Sequence, residues 1–142
     1  MGTRSAIGMQ FGDIVKAVYC HWDGYPEYVG AVLHKHYNRT KTAHLLSLGN
    51  LSSLGQMIEP DPEFPHSFEQ RQPNVCTFYG RDRSEEGNKY QVFDSVEEYK
   101  RDFQSGVEFL YLLTVEGNWV MTTDESLDQW RLLEDILSTE EA

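Results

Sequence analysis

RSAIGMQF-GD-IVKAVYCHW, residues 4–22, is the stretch that decides the fold. Two runs rich in apolar and β-branched residues flank Gly12-Asp13, and glycine at the first position of a two-residue loop fits a type II′ hairpin turn. Such a loop fixes the register. Phe11 then faces Ile14, Ile7 faces Val18 and Ser5 faces Cys20, which makes this the core face, with Lys16 its one charged exception. The other face carries Gly8 with Ala17, Ala6 with Tyr19 and Arg4 with His21. Its small residues would let a helix sit close, while its open end is polar.

Outward from the hairpin, Asp23-Gly24-Tyr25-Pro26 turns the chain, and Pro26 suits a first helical turn. A helix to about Tyr37 is predicted from the stripe Tyr25, Val29, Leu33 and Tyr37, widened by Val32. A shorter helix over Thr42–Leu48 ends at Gly49, the residue type that favours the left-handed C′ position. Residues 59–74 hold four of the five prolines and read as an irregular loop, long enough to be a binding loop. A strand is expected at 75–79, then a charged loop over Gly80–Asn88. Residues 95–104 read as a helix capped by Asp94 and striped by Val96, Tyr99 and Phe103. Strands at 107–115 and 119–122 would form a second hairpin around Glu116-Gly117-Asn118. A last helix at about 125–137 would bury Leu127, Trp130, Leu133 and Leu137. The expected architecture is α+β: a mostly antiparallel sheet from two hairpins and a central strand, with about four helices packed on one face. Residues 1–137 form its single domain and 138–142 a frayed acidic tail.

A chain of 142 residues is long enough to bury roughly two thirds of its unfolded surface, and 39% hydrophobic content suits a packed core. No apolar run approaches the ~20 residues of a membrane span, and MGTRSAIGMQ lacks the apolar stretch of an export signal. Ala6 stands where an N-myristoylation motif requires Ser or Thr. Without export, Cys20 and Cys76 are expected as buried free thiols rather than a disulfide. Residues 1–83 carry eight acids and eight bases, while residues 84–142 carry fifteen acids against four bases and hold the whole net charge of −11. That distribution lacks the basic footprint of a nucleic-acid binder. The acidic half would repel phosphates and attract basic partners.

Several segments occur together in order: GTRSAIG (2–8), YCHWDGYPEYVG (19–30), LGNLSSLG (48–55), HSF (66–68) and YGRDR (79–83). This combination resembles an uncharacterised family of small proteins encoded by tailed phages and prophages. The resemblance spans roughly residues 2–83. It implies a phage accessory protein acting in the bacterial cytoplasm, where such proteins often bind host factors or their signals, including in counter-defence. It carries over no activity.

The residues that point to chemistry gather at the two ends of the neutral half. Arg4 beside His21, then Asp23, Tyr25, Arg81 and Arg83, would make a site for a small phosphate- or nucleotide-like anion. Guanidinium forks donate in pairs to planar oxyanions, and Tyr25, Trp22 or Tyr79 could stack on a base. This placement requires the hairpin's open end and the Gly80 loop to share one pocket. Mixed-sign clusters more often tie loops together through internal ion pairs, and that structural role competes with the binding one. Metal binding is not expected. Cys20 and His21 point to opposite faces of a strand, and His34 and His36 are two apart on a helix. A catalytic nucleophile is not expected either, because Ser5, Cys20 and Cys76 read as core and Met1 removal would leave Gly2 at the terminus. No cofactor is implied. The favoured function is non-catalytic binding of a small anionic ligand or a host protein, with homo-oligomers allowed. Two rivals remain: an acidic decoy for a host nucleic-acid-binding protein, using charges such as Asp94, Glu98, Asp102, Asp124 and Asp128; and a small hydrolase using His21 and Asp23 as acid and base.

Overall fold

In a computed structural model describing residues 3–103, 107–123 and 130–141, the first hairpin adopts the register set by its turn. β1 (Ser5–Phe11) and β2 (Ile14–Cys20) pair antiparallel, with Phe11 opposite Ile14, Ile7 opposite Val18 and Ser5 opposite Cys20. Gly12 takes a φ of 61°, as the turn demands. Lys16, the charged exception, lays its ammonium over the rings of Phe11 and Tyr90, 4.9 and 5.2 Å from their centroids.

A π-helical turn, Pro26–Gly30, runs directly into α1 (Ala31–His36), and Val29, Leu33 and Tyr37 are buried as their spacing predicts. α2 (Arg39–Ser47) starts earlier than expected because the Asn38 side chain accepts a hydrogen bond from the Lys41 N–H, capping the helix. Arg39 then reaches both hairpin tips, donating to the carbonyls of Thr114 and Gln10 at 2.9 and 2.8 Å. β3 (Leu51–Ser53) and β4 (Thr77–Phe78) pair antiparallel, flanking the irregular 59–74 loop. An isolated bridge between Met57 and Val75 closes that loop at its base. The expected strand at 75–79 therefore shrinks to two residues. The expected loop after it opens with a helical turn, α3 (Tyr79–Arg83), because the Asp82 carboxylate accepts from the Phe78 N–H at its start.

β5 (Gln91–Phe93) pairs with β2, and α4 (Val96–Asp102) follows. Its cap is Ser95 rather than Asp94. The Ser95 hydroxyl accepts from the Glu98 N–H, while the Glu98 carboxylate accepts from the Asp94 N–H, a variant of the reciprocal capping box. β6 (Phe109–Leu113) and β7 (Trp119–Thr123) make the second hairpin. Of the expected helix at 125–137, Leu127 lies outside the described residues. Among the described residues of that span, Arg131 and Leu132 form β8 against β7 instead of helix, and α5 (Leu133–Glu141) continues into the segment expected to fray.

These elements make one α+β fold around a mixed sheet of order β4-β3-β2-β1-β6-β7-β8, with β5 on the same edge of β2 as β3. β1 is central, antiparallel to β2 and parallel to β6. One face, with Ile7, Val18, Cys20, Leu51, Phe78 and Tyr111, packs against Leu33, Leu45 and Leu133 of α1, α2 and α5. The other face, with Ala6, Val15, Ala17, Leu110 and Leu112, packs against Tyr99 and Phe103. Helices thus cover both faces, α4 lying opposite the other three. A Cβ on Gly8 would come 3.0 Å from the Tyr99 ring, so the small residues do admit a helix at close range. Tyr99 donates its buried hydroxyl to the Tyr111 carbonyl at 2.8 Å.

Candidate functional site

The hairpin's open end and the start of α3 lie on either side of β3, and Asn50 joins all three. Its side-chain oxygen accepts from the Tyr19 N–H at 2.9 Å, and its carbonyl accepts from the Tyr79 N–H at 3.3 Å. Beyond it, the N–H groups of His21 and Trp22 donate to the carbonyls of Leu51 and Ser52. The three segments YCHW, GNLSS and YGRDR are therefore neighbours in space.

On the sheet face shared with α4, beyond the end of that helix, Tyr19 and His21 follow one another by strand alternation. Their hydroxyl and Nδ1 share a hydrogen bond of 2.7 Å. Burial, then the Arg4 charge, holds the His21 imidazole below its ordinary pKa, so the ring is neutral at pH 7. Burial pushes the Tyr19 phenol up, partly offset by Arg4, and the charge of Tyr79 is felt there as well. Burial pushes Tyr79 up, while the neighbouring Ser52 hydroxyl and the Arg83 charge pull it down. Arg71 donates to the Ser52 hydroxyl at 3.3 Å, and the guanidiniums of Arg71 and Arg83 both lie over the Phe68 ring, 4.7 and 4.9 Å from its centroid. Phe68 in turn packs on Tyr79. Arg4 thus acts on Tyr19 and His21, Arg83 on Tyr79, and Arg71 and Arg83 share the Phe68 ring that packs on Tyr79. Trp22, 40% exposed, packs edge-on against His21.

The six sequence-predicted site residues divide. Arg4, His21 and Arg83 belong to this surface. Asp23 does not extend the strand, because β2 ends at Cys20 and Asp23 takes a φ of 57°; its charge acts on Cys20 and Tyr25. His21 is hydrogen-bonded to Tyr19, and no hydrogen bond joins it to Asp23 among the described residues. Tyr25 packs against Tyr28 at the helix start.

Arg81 turns inward. It donates to the carbonyls of Ile58 and Cys76 at 2.5 and 2.8 Å, lies over Phe78, and pairs with Asp82 through Nε and Nη2 at 3.0 and 3.1 Å. Asp82, 5% exposed in its side chain, also lies 3.4 Å from Nε2 of His66, which is 2% exposed. His66 Nδ1 accepts from the Gln72 N–H, so this cluster pins the proline-rich loop. Burial alone would raise the Asp82 carboxyl, but hydrogen bonds from Arg81 and Phe78 and the charges of Arg81 and His66 hold it below the usual range. Here the internal ion-pair role wins.

Tyr19, Ser52 and Arg71 were missed. Alternation from His21 marks Tyr19, and Arg71 stands in the loop already singled out for binding. Both thiols are free and buried, and burial pushes Cys20 up to about 12. Among the described residues no group of three or more His, Cys, Asp or Glu could hold a metal ion, and no helix is long and apolar enough to cross a membrane. Of the decoy charges, Glu98 caps α4 and Asp102 pairs with Arg101 at 2.9 Å, while Asp124 and Asp128 lie outside the described residues. No family model, curated protein or solved structure matches the chain.

Proposed function

We propose that this protein binds a small anionic, nucleotide-like ligand without altering it, as a phage or prophage accessory protein in the bacterial cytoplasm. The ligand's phosphate would sit among Arg4, Arg71 and Arg83, with its base against Tyr79, Phe68 or Trp22. One observation carries this reading: three guanidiniums lie beside half-buried aromatic groups around Tyr19, Phe68 and Tyr79 in a chain whose net charge is −11. A surface so charged repels anions except where cations are concentrated. The neutral His21 ring and neutral phenols add hydrogen-bonding atoms without adding charge.

The test is calorimetric titration of the full chain with adenosine monophosphate, then with inorganic phosphate. Arg4→Ala combined with Arg83→Ala removes two charged donors, each worth roughly 1.5–3 kcal/mol, and should abolish measurable binding without unfolding the protein. Unchanged affinity in the double variant would refute the site. Recovery of chemically altered nucleotide after denaturation would move the assignment to an enzyme.

A further inference from the structure

Beside the base of the proline-rich loop lies a cleft of about 250 Å³ between α1 and the β3–β4 pair. Tyr28, Val32 and Val75 form apolar walls, and Arg71, Asn74 and Thr77 supply polar groups. No carboxylate lines it. Thr77 is fully buried, and its hydroxyl has no hydrogen-bond partner. A hydroxyl taken from water and left unpaired is costly, and such orphans mark places where another atom belongs. Arg71 uses Nε on the Phe68 carbonyl and Nη2 on Ser52, and its Nη1 makes no hydrogen bond among the described residues. The Asn74 amide likewise makes no side-chain hydrogen bond among them.

We propose that this cleft binds a small, singly charged organic carboxylate. Its oxygens would be taken by Arg71 and the Thr77 hydroxyl, and its hydrocarbon part would lie against Tyr28 and Val32. One guanidinium balances one negative charge, whereas a phosphate dianion calls for more cations. The volume is too small for a nucleotide but fits an organic acid of a few carbons with an apolar tail. The inference does not rest on the nucleotide reading: Arg71 borders both places, but Arg4 and Arg83 lie outside this cleft.

The experiment titrates the full-length protein with benzoate, butyrate, neutral benzamide and inorganic phosphate. It follows backbone amides and the Arg71 Nε–H by ¹⁵N NMR, together with the melting temperature. Benzoate or butyrate should give saturable shifts at Thr77, Asn74 and Arg71 and raise the melting temperature, with benzamide at least about tenfold weaker. Thr77→Val keeps the side-chain shape and removes the orphan. Its free form should melt at the same or a higher temperature, while carboxylate affinity falls at least about tenfold. Arg71→Gln should abolish the response. The proposal is overturned by no saturable response to either carboxylate, by benzamide binding as well as benzoate, by phosphate saturating the Thr77 and Asn74 shifts more tightly than both, or by unchanged affinity in Thr77→Val. Arg4→Ala with Arg83→Ala should leave benzoate binding intact, so loss of adenosine monophosphate binding alone speaks only to the other site.

Discussion

Replacing Asp82 by Asn tests the buried cluster that anchors the proline-rich loop. The asparagine keeps the shape but loses the charge and turns two donors toward a neighbourhood of donors. Asp82 accepts from Arg81 at 3.0 and 3.1 Å and from the Phe78 N–H at 2.8 Å. Hydrogen bonds to charged groups contribute roughly 1.5–3 kcal/mol each, and breaking a buried ion pair costs roughly 3–5 kcal/mol. Arg81 remains 20% exposed and keeps the Ile58 and Cys76 carbonyls, which favours the lower end. The expected loss is about 3 kcal/mol, or a urea midpoint lower by about 2 M for a domain of this size. The acid limb carries the sign. The folded carboxyl sits below its unfolded value of about 3.9, so its contribution is complete above about pH 5 and disappears as pH falls through the folded value. Urea unfolding of both proteins at stepped pH should therefore show the wild-type advantage at neutral pH shrinking toward zero in acid. A loss below about 1 kcal/mol at pH 7, or an acid limb as steep in Asp82→Asn as in the wild type, refutes the reasoning.

Two further changes probe the packing. Gly49→Ala places a Cβ 2.1 Å from the Asn88 carbonyl oxygen at a residue whose φ is 90°, and should cost at least about 2 kcal/mol in thermal unfolding; a neutral effect would mean that the 85–89 loop yields freely. Tyr99→Phe keeps the ring against Gly8 and removes the hydroxyl's hydrogen bond to the Tyr111 carbonyl, and should cost about 1 kcal/mol by urea unfolding; no loss would assign the helix–sheet contact to the ring alone.

Where a residue's role was set by its near neighbours, the sequence could be read directly. Gly12 dictated the hairpin register, the four-residue spacing of Val29, Leu33 and Tyr37 dictated the buried face of the first helix, and Gly49 marked the end of the second. Errors arose where two local signals compete. Asp94 and Ser95 are both good caps, and each has a glutamate three residues on, Glu97 and Glu98, so spacing alone does not choose the Ser95–Glu98 pair that the structure uses. Trp130, Leu133 and Leu137 match a helical stripe, yet the Trp130 ring stacks on Tyr99 while Leu133 packs on the opposite side of the sheet. Periodicity cannot see a chain that crosses between layers. The site was half legible for the same reason. Arg4 and His21 followed from register, whereas the inward turn of Arg81 depends on the carbonyls of Ile58, 23 residues away, and Cys76, whose need for donors leaves no local trace.

The position of β1 has a consequence for biosynthesis. Its parallel mate runs from Phe109 to Leu113, opposite Ser5 to Met9. A ribosome releases the hairpin long before that mate exists, so the central strand, Ser5–Phe11, emerges with one backbone flank unpaired. Non-local parallel pairing forms slowly, and the waiting flank invites a second nascent chain. Truncation anywhere before β6 should therefore yield an aggregating fragment rather than a smaller stable domain, and chaperone demand during translation should be set by that delay.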